Sequence, residues 1–132
     1  MAYLLDTNIV SDVIRNPQGP AARRLRTVGI SQTYINIVIS AELLYVAEEK
    51  NALQLTRRIE EFLRTIRRAP LDEPADRIYA MVRAKLKKDG RVIGQNDLFI
   101  AAHALALGYT LVTDNEQEFS RVPGLRTENW LR

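Results

Sequence analysis

Apolar positions along the chain fall into two alternating patterns, short runs and helical stripes. Tyr3-Leu4-Leu5 is a three-residue apolar run ending at Asp6, too short for a helix and suited to a buried strand. Ile9, Val10, Val13 and Ile14 then lie on one helical stripe, with Thr7 or Asn8 as its cap and Asn16-Pro17 as its stop. Ala21, Leu25 and Val28 predict a second short helix before Gly29. Tyr34 to Ile39 is rich in β-branched and aromatic residues and predicts a strand, after which Ser40 is placed to cap a helix opening at Ala41-Glu42-Leu43-Leu44.

The second half repeats the alternation. Leu55, Ile59, Phe62, Leu63 and Ile66 mark a long amphipathic helix, and Pro70 and Pro74 bracket a break. Ile78, Tyr79, Val82 and Leu86 mark another helix, ended by Asp89-Gly90. Asn96 is positioned to cap the most apolar helix, Asp97 to Leu107, and Tyr109 to Thr113 predicts a last strand ending at Asp114. Helices alternating with short apolar strands imply an α/β fold around a mainly parallel sheet. No repeat, low-complexity tract or Gly/Ser linker interrupts the 132 residues, so residues 1–132 are expected to form one domain.

Composition narrows the chemistry. The chain has no cysteine and one histidine, which excludes disulfides, iron–sulfur clusters, thiolate zinc and any multi-histidine metal site within one chain. The N-terminus lacks the basic region of a signal peptide, and no apolar run approaches the roughly 20 residues that span a bilayer, so a cytoplasmic protein without a membrane anchor is expected. Nineteen Lys and Arg against sixteen Asp and Glu give a net charge of +3. Eleven basic and six acidic residues fall between Arg57 and Arg91. That stretch suits either two solvated helix faces or a polyanionic partner.

The acids carry the sharper signal. Asp6 directly follows the first strand, Asp114 follows the last, Glu118 lies one helical turn beyond it, and Glu42 falls in the first turn of the helix after the second strand. In an open parallel sheet the C-terminal strand ends share one edge, where ligands bind. Asp97 joins them if its helix points the same way. Helix-start carboxylates are also favoured by the dipole, by roughly 0.3–1 kcal/mol, which covers Glu42 and Asp97 singly. Several carboxylates at one edge repel unless a cation binds, and oxygen ligands suit Mg²⁺ or Mn²⁺. Metal-assisted phosphodiester hydrolysis is the reaction class this points to. Ser40 has no histidine base nearby in the sequence, and His103 falls on the side of its helix away from Asp97. No phosphate-binding glycine loop is present.

Leu5-Asp6-Thr7-Asn8, Ile39-Ser40-Ala41-Glu42-Leu43, Ile93 to Ala104, Leu111 to Phe119, Val122-Pro123-Gly124-Leu125 and Asn129-Trp130 together resemble the VapC-type PIN-domain toxins over nearly the whole chain. The resemblance implies a three-layer α/β/α fold and a Mg²⁺-dependent endoribonuclease of a type II toxin–antitoxin pair, with Mn²⁺ able to substitute. It implies Asp6, Glu42 and Asp97 as metal-binding acids, with Glu118 ranked before Asp114 as the fourth. Thr7, Asn8 and Thr113 would orient carboxylates or water, and Ser40 and Asn115 are grouped with them. It also implies a cognate antitoxin whose tail crosses the site, often sending in an Arg, and a toxin dimer or larger assembly. The two middle helices would clamp the antitoxin, and Arg64, Arg67 and Arg68 would hold RNA backbone.

Two alternatives stand beside this reading. One is a metal-dependent phosphohydrolase, such as a phospho-aspartate phosphatase, which would need a second Asp where Asn8 stands. The other is a nuclease-inactive partner-binding module, for which the loss of Asp6, Glu42 or Asp97 would be the sign.

Overall fold

The computed structural model describes residues 1–132. Five short strands form one parallel sheet: β1 (Tyr3–Leu5), β2 (Thr33–Ile35), β3 (Arg67–Arg68), β4 (Thr110–Val112) and β5 (Thr127–Glu128). Their order across the sheet is β3-β2-β1-β4-β5. Seven α-helices cover it in the three-layer arrangement: α1 (Thr7–Arg15), α2 (Pro20–Val28), α3 (Ile37–Lys50), α4 (Leu53–Thr65), α5 (Ala75–Lys88), α6 (Gln95–Leu107) and α7 (Glu116–Phe119). From β1 the chain builds outward to β3, then returns to add β4 on the other side of β1. The reversal between β1 and β4 is the position where such sheets open a ligand crevice.

Burial explains why strands this short hold. β1 is the central strand and all three of its residues are buried, as are those of β4. Leu4, Leu5, Ile35, Leu111 and Val112 meet Ile9, Ile39, Leu43, Leu98, Ile100 and Phe119 from the helices in one continuous core. Each fully buried Leu, Ile or Phe contributes roughly 1.5–3 kcal/mol relative to exposure. Glycine closes α6, where Gly108 takes the left-handed conformation (φ 70°) that a side chain rarely adopts.

Several boundaries differ from the sequence reading. The strand over Tyr34–Ile39 stops at Ile35, and α3 starts at Ile37. Asn36 caps it: its Oδ1 accepts from the Ile39 N–H at 2.9 Å. Ser40 is therefore not a cap but lies inside the helix, its hydroxyl donating to the Ile37 carbonyl at 3.1 Å. Glu42 moves with it, from the first helical turn to the second. At α1 the cap is Asp6 rather than Thr7 or Asn8. At α6 it is Gly94, so Asn96 and Asp97 both sit in the first turn. Arg67 and Arg68 form edge strand β3 instead of continuing a helix. That strand and β5, two residues each, carry no period long enough to read.

Candidate active site

Asp6 leaves the end of β1 and Thr113 leaves the end of β4, so the reversal places them side by side. The Thr113 hydroxyl donates to Asp6 Oδ2 at 2.8 Å, and the Thr7 backbone N–H donates to Oδ1 at 2.8 Å. Asp6 is only 5% exposed. Burial pushes its carboxyl above the ordinary carboxylate range, the two hydrogen bonds oppose this, and Glu42 and Glu118 add repulsion. The Asn115 N–H donates to Thr113 Oγ1 at 3.0 Å, so the turn after β4 locks the threonine in place.

The other acids come from helices. Asp97, in the first turn of α6, is half-buried and faces Asp6, Glu118 and Glu42. Burial, repulsion from these carboxylates and a hydrogen bond shared with Glu118 push its pKa up to about 7. Glu118, on α7, accepts from the Gly94 N–H at 3.4 Å and from the Asn115 amide. Glu42 accepts from the Thr7 hydroxyl through Oε1 and from Asn96 Nδ2 through Oε2 at 3.3 Å. The four acids act on one another electrostatically at a single edge of the sheet, with no lysine, arginine or histidine paired to any of them.

Asp114 is not brought into this group. Strand side chains alternate, so Thr113 faces Asp6 and Asp114 is turned outward, exposed, with Oδ1 accepting from Asn129 Nδ2 at 2.9 Å. Asn8 is exposed too and touches no carboxylate; its Oδ1 accepts from the Asp114 N–H at 3.2 Å, tying α1 to the turn after β4. Ser40 contacts none of the acids. Thr7 holds two carboxylates, Asp6 and Glu42, while Thr113 holds Asp6 and Asn115 holds Glu118. Arg64, Arg67 and Arg68 are exposed and form no ion pair. Arg68 lies beside Ile35 in register, two strands from β1, or roughly 10 Å from the acid edge at the usual strand spacing.

The donor set suits a hard divalent cation, being all carboxylate and hydroxyl oxygen with a surplus of negative charge. As placed, no three of the side chains stand close enough to hold a metal ion. Glu42 and Glu118 rest on neutral donors instead, which a cation would have to displace. The residues fit such an ion by chemistry and charge, and Asp6, Glu42, Asp97 and Glu118 are those that would hold it.

Residues 3–125 match the model of the PIN domain family. The chain is 36% identical over 132 residues to "Ribonuclease VapC2" of Rickettsia felis, covering 98% of both proteins. It is 38% identical over 135 residues to the "tRNA(fMet)-specific endonuclease VapC" of Shigella flexneri, again covering 98% of both. The chain belongs to the VapC family of PIN-domain proteins. Among solved structures, the VapBC2 complex of R. felis bound to a promoter DNA fragment superposes with a TM-score of 0.88 at 33% identity, over 98% of this chain and 99% of that one. VapBC-1 of nontypeable Haemophilus influenzae gives 0.85 at 32% identity over the full length of both.

Within this VapC fold, two residues matter that sequence reasoning passed over. Asn36 starts α3 and so fixes the rotation at which Glu42 emerges. Its Nδ2 donates to His103 Nδ1 at 3.0 Å, which leaves His103 Nε2–H to donate to the Pro70 carbonyl at 3.0 Å. His103 is buried on α6, and burial lowers its pKa, so the neutral ring ties α6 to α3. Asn96, read as a cap, instead joins α6 to Glu42. The asparagine preference for caps was available at Asn36, but β-branched neighbours on both sides masked it. No helix is long and apolar enough to cross a membrane.

Proposed function

We propose that this chain is an endoribonuclease toxin of a type II toxin–antitoxin pair, dependent on Mg²⁺ and restrained by a cognate antitoxin. One observation carries the reading. Asp6, Glu42, Asp97 and Glu118 meet at the β1/β4 reversal in a chain that resembles VapC ribonucleases from end to end. The solved relatives named as VapBC complexes support the antitoxin as partner and an assembly larger than one chain.

A divalent cation bound by these acids would supply positive charge at the scissile phosphate and lower the pKa of a bound water. The protein's part is to pre-position the acids. Thr113 and the Thr7 N–H fix the Asp6 rotamer, while the Thr7 hydroxyl and Asn96 hold Glu42. Asp97, hydrogen-bonded to Glu118, holds its proton up to a pH of about 7, and that proton leaves when positive charge enters the cluster. Arg64 at the end of α4 and Arg67 and Arg68 on β3 offer unpaired cations for the RNA backbone, contacts that position a strand without reading its sequence. An antitoxin arginine entering the cluster would pair with the same carboxylates and compete with the metal.

The test is cleavage of RNA by the purified, antitoxin-free protein with Mg²⁺, with EDTA, and with Asp6→Asn. Cleavage that needs both the metal and Asp6 supports the reading. Cleavage that survives EDTA or the substitution refutes it.

A further inference from the structure

Beside the acid cluster lies a cleft of about 430 Å³ lined by Thr7, Ala41, Glu42, Tyr45, Val46 and Asn96. Thr7 and Glu42 belong to both, so the cleft opens directly onto the acids. Its walls are mixed in character: an aromatic ring, two small apolar side chains, a carboxamide and a carboxylate. Tyr45 is 62% exposed, and its only hydrogen bond runs from its hydroxyl to Glu49 Oε2 at 3.0 Å, one turn along α3. Nothing in the core needs that ring. Asn96 spends its Nδ2 on Glu42, which leaves its Oδ1 as an unused acceptor in the cleft wall.

We propose that this cleft is a nucleobase subsite, in which the base next to the scissile phosphate stacks on Tyr45 and presents an N–H edge to Asn96 Oδ1. The inference rests on the ribonuclease reading above and names a part of its substrate contact. Charge decides which part of a nucleotide enters. Glu42 lines the cleft, Glu49 holds the Tyr45 hydroxyl, and no lysine or arginine lines it, so a phosphate is repelled and a neutral, flat group is favoured. Aromatic stacking accepts any base, since each has a π-face, and is worth on the order of tenfold in binding per base. Phosphate contacts then fall to the basic β3 edge, and base contact falls to α3 and α6.

The experiment is steady-state cleavage of a short RNA whose cut site by the wild-type protein has been mapped. The RNA is then resynthesised with an abasic nucleotide on either side of the cut in turn. One abasic position should raise KM on the order of tenfold. Tyr45→Ala should produce the same rise on intact RNA, add nothing on that abasic RNA, and leave kcat and the thermal midpoint near wild type. Tyr45→Trp should restore KM. Tyr45→Ala with unchanged KM overturns the subsite, and so does a rise that persists in full on the abasic RNA. A loss confined to self-association or antitoxin affinity also overturns it, assigning Tyr45 to a protein interface. If the wild-type protein cuts no RNA, the ribonuclease reading itself falls and this inference with it.

Discussion

Replacing Asp97 by Asn should stabilise the metal-free protein while abolishing cleavage. The folded protein holds the Asp97 proton up to a pH of about 7, whereas the unfolded chain releases it at an ordinary 3.8. Between those values the folded state binds more protons, so stability falls as pH rises through the window, and the whole cost is present above pH 7. At 1.36 kcal/mol per pKa unit the ceiling is about 4 kcal/mol. Asp97 is only half-buried, and solvent screening cuts this heavily, leaving ~1–2 kcal/mol. Losing a carboxylate from the first turn of α6 gives back about 0.3–1 kcal/mol, so the net gain is on the order of 1 kcal/mol. In a domain of this size that raises the thermal midpoint by ~3–5 °C.

The assay is thermal unfolding of both proteins in EDTA across pH. The midpoints should lie closest below pH 4 and diverge to their full separation above pH 7. Excess Mg²⁺ should then raise the wild-type midpoint and leave the variant nearly unmoved, reversing or closing the gap. A variant less stable than wild type at pH 8 without metal would refute the reasoning. Asp97 would then be a helix-start acid whose dipole interaction outweighs the repulsion of its neighbours.

Other expectations follow from the same geometry. Mg²⁺ affinity, measured by calorimetry, should fall as pH drops below about 7 and release a proton on binding, because Asp97 must give up the proton it holds to that pH. Thr113→Val should lower cleavage more than it lowers stability, since it removes the hydroxyl that fixes Asp6, and the ratio of the two losses can be read from activity and denaturant titrations. His103→Ala should cost about 2–4 kcal/mol in denaturant unfolding, as it leaves both a cavity and an unpaired Asn36 amide. Replacing Arg64, Arg67 and Arg68 together by Ala should reduce the salt slope of single-stranded RNA binding by about 2, at ~0.7 for each phosphate no longer neutralised. An unchanged slope would leave the β3 edge merely solvated.

What the sequence disclosed follows from the length of each signal. Apolar positions located the helices α1, α2, α4, α5 and α6, each nine or more residues long, and the short runs Tyr3–Leu5 and Tyr109–Thr113 located β1 and β4, whose residues are buried. The two-residue strands β3 and β5 were illegible, since they are edge strands held by register with a neighbour and not by any pattern of their own. The largest misplaced boundary, at α3, has a physical cause. Ile37, Val38 and Ile39 favour a strand, but Asn36 bonds the Ile39 N–H and His103 holds Asn36, so tertiary contact overrides local propensity. The true start places Ser40 inside the helix, and Glu42 in the second turn still reaches the site, where it bonds Thr7 and Asn96. The site was more legible than its supports because its acids stand at strand ends and helix starts, which a topology argument can locate. Asn96, Asn36 and Asn115 act across the fold or around a turn, through bonds that no periodicity encodes. Asn96 and Asn115 donate to Glu42 and Glu118, and Asn36 caps the helix that carries Glu42, so the placement of two of the four carboxylates rests on three asparagines.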